Sequence, residues 1–209
     1  TRLVSDWSSD VCSSDLPVHP TLDNRVENLL FCLQQKTKGS VFGVHRLDLE
    51  TTGLIVFSKT ESATAHFQKI FSERDINKMY KAVVSGDGPS PGHYRHWMQK
   101  DSRSPKKISD FERPDHMLIE LNVQGHSSFL PKTSVLEIEL LTGKTHQIRS
   151  QLAHLGSPLM ADSMYGGRPF ADATLYPHFL LHACQLRFRD QQGHAHHFHS
   201  QPKWLEGQS

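Results

Sequence analysis

Apolar positions along this chain fall into spaced sets and short runs, and each arrangement predicts an element. Val26, Leu29, Leu30 and Leu33 recur at helical spacing behind Asn24 and Glu27. Those two residues, three apart, read as a capping box, so a helix is expected over residues 25–36. Residues 36–40 are a polar turn, and residues 41–47 and 54–57 are β-rich runs flanking a polar loop that ends at Gly53. Ala63, Phe67, Ile70 and Phe71 predict a second amphipathic helix. Residues 79–84 read as a strand ended by Gly86, and residues 117–123 and 135–141 as two more, with Leu136, Ile138 and Leu140 on one face. Residues 87–115 carry Pro, Gly, Lys and Arg with little periodicity and read as a long loop or insertion. Thr145 can cap a helix bearing Ile148, Leu152 and Leu155, which Gly156 and Pro158 then stop. Residues 179–189 form a last strand, returned by a turn at residues 190–193 into a hairpin through Phe198. Strands and helices intermix with hairpin connections, which makes the class α+β.

Composition narrows the function classes. The 209 residues are 36% hydrophobic and 22% charged, the balance of a folded globular protein. No stretch approaches the ~20 apolar residues of a membrane span, and no basic segment followed by an apolar run marks a signal peptide. Cys12, Cys32 and Cys184 are odd in number and far apart, so they make neither a disulfide framework nor a metal pair. A reducing, cytoplasmic setting is expected. The net charge is +1, so any nucleic-acid partner must be held by local patches. No repeat or linker divides the chain.

The first sixteen residues stand apart. Ser-Ser-Asp occurs twice, at residues 8–10 and 13–15, with no helix or strand periodicity around it. The string is similar to translated sequencing adapter at the broken end of a reading frame. Residues 1–16 are therefore expected to be a non-native or disordered segment, leaving the folded part without a normal first strand. Without them the charge becomes 22 basic against 19 acidic residues, or +3, since Arg2, Asp6, Asp10 and Asp15 are removed from totals of 23 and 22.

Three strings carry chemistry. His45-Arg46-Leu47-Asp48 leads through Leu49-Glu50-Thr51-Thr52 to Gly53. A strand there would deliver Arg46 and Asp48 on one side, and an aspartate at a strand end can serve as nucleophile or base. A salt-bridged turn is the plain alternative. Tyr80 is the lone aromatic of a short strand. Leu140-Leu141-Thr142-Gly143-Lys144-Thr145-His146-Gln147-Ile148-Arg149 passes from strand through a Gly turn into a helix, followed by Asp162-Ser163-Met164-Tyr165-Gly166-Gly167 and by Leu181-His182-Ala183-Cys184.

In this order these strings resemble the RluA-type family of RNA pseudouridine synthases, from about residue 18 to about residue 188. The resemblance implies a catalytic domain over residues 17–209 with a mostly antiparallel central sheet flanked by helices. It implies an isomerase that detaches uracil from C1′ of a uridine at N1 and rejoins it through C5, with no cofactor and no metal. It gives Asp48 as the catalytic aspartate, Arg149 as the charge that keeps Asp48 ionised, and Tyr80 as the active-site tyrosine. Arg46 would fill the place of the extruded uridine, Ile148 would touch the reacting nucleotide, and Lys144 would make a polar contact. His45 either packs and bonds the backbone or reaches the substrate. Arg46, Asp48, Tyr80, Ile148 and Arg149 are expected in one cleft.

The implied partner is structured ribosomal or transfer RNA with a looped uridine, bound by a monomer without a membrane. Lys100, Arg103, Lys106 and Lys107, behind Tyr94, His96 and Trp97, suit looped RNA.

The chain departs from the family pattern where Thr52 replaces Ser, Lys144 replaces Arg, Ser150-Gln151 replaces Val-His and Ala161 replaces Gly. Lys144 keeps the charge but loses the two-pronged donor. Rival readings are an RNA-binding relative without catalysis, a glycoside hydrolase using Asp48 and Glu50, and a metal-binding protein using His194, His196, His197 and His199. No cysteine or carboxylate is expected to complete that last site.

Overall fold

The computed structural model describes residues 2–4, 9–14, 29–37, 39–101 and 104–206, the first two stretches by backbone alone. Two compact units result. One combines Thr1–Lys78 with His182–Ser209, and the other is Met79–Leu181. Both boundaries fall at or within strands rather than in a linker, so no shift in composition marks them.

The first unit is built on β4 (Thr52–Ser58), whose residues 53–58 are all buried. Its antiparallel neighbours are β2 (Ser9–Ser14) and the short β3 (Phe42–Gly43). β1 (Arg2–Val4) pairs with β2. Two stretches inside the segment expected to be disordered are thus strands, and β2 lies where a first strand was expected to be lacking. The register of β2 follows the backbone of β4, which its own polar pattern does not announce. β10 (Leu181–Arg189) lies parallel to the start of β4 and forms the expected hairpin with β11 (Ala195–His199). Gly53 makes the parallel contact possible. Its φ is +106°, and a Cβ there would stand 2.3 Å from the Ala183 carbonyl oxygen.

Two apolar clusters sandwich β4. Leu54 and Val56 pack with Phe67 and Ile70 of α2 (Glu61–Ser72) and with Leu186 and Phe188. Ile55 and Phe57 pack with Leu29 and Leu33 of α1 (Leu29–Thr37). Alternate β4 side chains therefore serve opposite faces. The expected capping box of α1 lies outside the described residues. α2 is capped by Thr60, whose hydroxyl accepts from the Ala63 N–H at 3.2 Å.

The second unit is an antiparallel sheet in the order β5 (Ile76–Ser85), β9 (Thr133–Leu140), β8 (His116–Ser128), β6 (Gly92–Gln99), β7 (Ile108–Ser109). Residues 87–115 are therefore not a loop, because β6 and β7 occupy part of them. The buried members of β6 are His96 and Met98, and a buried histidine leaves no apolar alternation to read. α3 (Gln147–His154) starts one residue later than expected. His146, at φ +57°, occupies the cap position instead of Thr145, and its side chain makes no capping bond. Gly156, at φ +77°, ends α3 as expected. The whole is α+β with mostly antiparallel strands. Among the described residues no helix is long and apolar enough to cross a membrane.

Candidate functional site

The first unit carries His45, Arg46 and Asp48. The strand expected over residues 41–47 stops at Gly43, so an irregular segment delivers them. His45 explains the early stop. Its Nε2 accepts from the Val56 N–H at 3.0 Å, taking the place a strand carbonyl would fill, and its ring lies on Phe71 with centroids 4.7 Å apart. Accepting at Nε2 puts the ring proton on Nδ1. These contacts pack the His45 ring and bond it to the backbone of β4. Val44 and Leu47 pack on the two opposite clusters around β4 and anchor the segment between them. Arg46 is left exposed and Asp48 half-buried.

The turn after Asp48 is closed by the Thr51 N–H donating to the Asp48 carbonyl at 3.0 Å. The Thr51 hydroxyl is buried without a hydrogen-bond partner among the described residues. Thr52 pairs its hydroxyl with Nδ1 of His182 at 2.7 Å, and Nε2 of His182 meets the Ser200 hydroxyl at 3.0 Å. The hydroxyl kept by the Thr52 replacement thus ties the Asp48 turn to β10.

The second unit carries Tyr80, Lys144, Ile148 and Arg149. Tyr80 lies in β5 opposite Ile138 and is buried. Ile148 is buried on α3, and the Lys144 side chain is exposed. Gln147 organises the turn between β9 and α3. Its Oε1 accepts from the Thr142 hydroxyl at 2.8 Å and from the Lys144 N–H at 3.2 Å, while its Nε2 donates to the Glu120 carbonyl at 3.1 Å. Arg149 projects from the first turn so fixed. Its Nε and Nη2 donate to Oδ2 and Oδ1 of Asp162 at 2.7 and 2.9 Å, a two-pronged ion pair. The side chains are 6% and 1% exposed. Phe179 and Tyr165 lie against the guanidinium, with centroids 4.4 and 5.2 Å from Cζ. Asp162, Gln147 and His182 have no role in the sequence reading. Each stands in a string singled out there, but only packing reveals its partner.

The remaining expected groups separate. In the basic stretch, Arg103 lies outside the described residues, His96 is buried, and the Lys100 Nζ donates to the Pro114 carbonyl at 3.2 Å. Nζ of Lys106 donates to the Asp101 carbonyl. Near the C-terminus a carboxylate does stand beside the histidines, contrary to expectation. Oδ2 of Asp190 lies 3.2 Å from Nδ1 of His194 and 2.8 Å from Nε2 of His196. The sequence gap of four and six residues hid it, because the turn folds Asp190 back over the hairpin.

Another group with metal-ligand chemistry is His96, Asp110 and His154. Asp110 Oδ1 meets Nε2 of His154 at 2.7 Å and Nε2 of His96 at 3.8 Å. A chain of amides decides what it can do. Gln147 Nε2 donates to Gln151 Oε1 at 3.2 Å, so the Gln151 Nε2 must donate, to the Tyr94 carbonyl and to Nδ1 of His96. His96 is thereby protonated on Nε2 when neutral. A metal on Nε2 would need the proton on Nδ1, facing another N–H. The donor set suits hydrogen bonding rather than a metal ion.

Residues 13–154 match the family described as RNA pseudouridylate synthase. The chain belongs to that family. Two curated members show how far the likeness runs. The chain is 30% identical over 197 residues to the ribosomal large subunit pseudouridine synthase D of Zymomonas mobilis, covering 86% of this chain and 57% of that one. It is 28% identical over 162 residues to the tRNA pseudouridine synthase C of Vibrio vulnificus, covering 71% and 66%. The chain spans about half the length of the curated relatives it matches. The solved structure of human RNA Pseudouridylate Synthase Domain Containing 4 shares the fold, with a TM-score of 0.76 at 22% identity over 97% of this chain and 89% of that one. For this pseudouridylate synthase family member, the matched span takes in Asp48, Tyr80, Lys144, Ile148 and Arg149. Asp162 and His182 lie beyond it.

Proposed function

We propose that this chain is the catalytic part of an RNA pseudouridine synthase acting on a looped uridine of ribosomal or transfer RNA. The observation that carries the reading is family membership with Asp48, Tyr80 and Arg149 all present in their motifs. The names of the two curated relatives support both RNA classes. In this reading the protein is a cytoplasmic monomer and needs no cofactor.

The reaction is an isomerisation. The N1–C1′ bond breaks, the uracil turns, a C5–C1′ bond forms, C5 loses its proton and N1 gains one. Asp48 supplies negative charge beside C1′ as the bond to N1 breaks. Arg149, held rigid by Asp162, is the cation that keeps a carboxylate ionised out of bulk water. Tyr80 offers a ring face to the uracil and a hydroxyl to the departing C5 proton. Arg46 is exposed and planar, which suits stacking in the gap left by the extruded base. Ile148 packs beside the nucleotide, and Lys144 meets a phosphate. His45 holds the segment that carries Arg46 and Asp48.

Tritium release from unmodified bulk ribosomal and transfer RNA labelled at uridine C5 tests the reading. Release by the unsubstituted protein, lost in Asp48→Asn with RNA retention on filters unchanged, is the expected result. Equal release by Asp48→Asn, or none from folded unsubstituted protein, overturns it.

A further inference from the structure

The β10–β11 hairpin of the first unit has two unlike faces. Leu186 and Phe188 are buried, and Phe198 packs against the same cluster. The other face carries Gln185, Arg187 and Arg189, paired across the strands with His199, His197 and Ala195. All six are exposed or half-exposed. Arg187 Nε donates to His197 Nε2 at 2.8 Å and its Nη2 to Gln185 Oε1 at 3.5 Å. Arg189 Nη1 donates to the Gly193 carbonyl at 2.8 Å. Every one of these acceptors is uncharged. The carboxylate in the turn, Asp190, is already engaged. Its Oδ1 accepts from the Gln192 and His194 N–H groups, both at 2.9 Å, and its Oδ2 faces His194 and His196. Two full positive charges therefore stand on an open sheet face with no carboxylate partner among the described residues.

Their spacing is informative. Residues two apart on one strand face are about 6.8 Å apart, a step that successive phosphates of an extended RNA strand also take. The His197 and His199 rings, with centroids 3.9 Å apart, add a flat unsaturated surface beside the two arginines. Nucleic-acid strands are held by this combination of guanidinium groups on phosphates and rings against bases. Arg187 and Arg189 lie five and seven residues along β10 from His182, about 17 and 23 Å at strand rise. His182 is bonded to the turn that carries Asp48. The strip therefore lies well away from that turn.

We propose that this hairpin face binds the phosphodiester backbone of the substrate RNA, several nucleotides from the uridine that reacts. The inference rests on the proposed function, which supplies RNA as the partner. A contact to one phosphate of a single strand changes log K by about 0.7 per decade of salt, and two contacts by about 1.4. Arg187→Gln with Arg189→Gln is therefore expected to weaken binding about 25-fold near 0.1 M salt and to flatten the salt slope by about 1.4.

The test is filter binding of unmodified large-subunit ribosomal RNA, transcribed in vitro, between about 50 and 200 mM salt. Arg187→Lys with Arg189→Lys keeps both charges and should keep the slope. Arg189→Gln alone should lose about half of the slope change, and it guards against failure of the double variant to fold. The unfolding midpoint should stay at the unsubstituted level in every variant. Equal slopes for the unsubstituted and Gln variants overturn the strip while leaving the proposed function standing. Failure of the unsubstituted protein to bind RNA overturns both.

Discussion

Removing the Asp162 carboxylate should be among the most damaging changes that leave the Asp48 motif untouched. Asp162→Ala removes the carboxylate that takes two bonds, at 2.7 and 2.9 Å, from the Arg149 guanidinium, whose side chain is only 6% exposed. Breaking one side of a buried pair typically costs about 3–5 kcal/mol. The rings of Phe179 and Tyr165 stay against the cation and retain part of its stabilisation, up to about 2 kcal/mol in desolvated sites. The expected loss is therefore near the lower end, about 3 kcal/mol. At about 2–4 °C per kcal/mol for a domain of this size, the unfolding midpoint should fall by about 6–12 °C. Urea unfolding of Asp162→Ala, Arg149→Met and the double variant measures it. The double variant should be less destabilised than the sum of the single changes by about 2 kcal/mol or more, since it buries no lone charge. Tritium release should fall in Asp162→Ala, because Arg149 loses its aim. Additive single effects, or a loss under about 1 kcal/mol, would refute the assignment of Asp162 as the anchor of Arg149.

Other positions give independent tests. Ala161 sits at φ +62°. Ala161→Gly should raise stability by about 0.5–1 kcal/mol in urea, the left-handed strain of about 1–2 kcal/mol less the added freedom of the unfolded chain. Gly53→Ala drives a Cβ to 2.3 Å from the Ala183 carbonyl oxygen and 2.7 Å from its nitrogen, so β4 and β10 must part. A loss of about 4 kcal/mol or more is expected by circular dichroism, and unchanged stability would contradict the close approach. Burial first, then the nearby His154, holds the His96 pKa below its ordinary value, with Asp110 opposing. A depressed histidine is protonated more readily in the unfolded chain. Its contribution is complete above about pH 6.5 and is lost as pH falls below that value toward the folded pKa. The thermal midpoint should drop between about pH 7.5 and pH 5.5, and His96→Gln should flatten that drop.

Much of the second unit and most of the motif residues were legible because their signals are local. The β9 pattern alternates and the α3 stop signals sit next to each other, so neither needs tertiary information. β6 was hidden because its inward positions include His96, which is satisfied by the amide of Gln151 in α3, 55 residues along the chain. β2 was hidden because a strand of Ser, Asp and Cys takes its register from its neighbour. The cap of α3 favoured Thr145 on propensity, yet His146 adopts the left-handed turn, with its Nδ1 3.2 Å from the Tyr165 hydroxyl. Arg149 was recognisable from its string, whereas Asp162, thirteen residues on, gains meaning only when the turn at Ala161 brings it back. The segment carrying Asp48 reads as strand in the sequence yet is irregular beyond Gly43, because His45 supplies its pairing through a ring nitrogen, a bond no periodicity encodes.

The parallel pairing of β4 with β10 also sets an order of events during synthesis. Residues 79–181 form a unit from contiguous chain and can close as soon as they leave the ribosome. The unit that holds Asp48 cannot. Thr52 waits for His182, 130 residues later, and Leu54 and Val56 wait for Leu186 and Phe188. Until then β4 has an unpaired edge where β10 will lie, and its Leu54 and Val56 face is covered by α2 but not by β10, the kind of surface on which chaperones and neighbouring nascent chains act. The Asp48 turn is thus among the last parts to be fixed, although it is among the first to be translated.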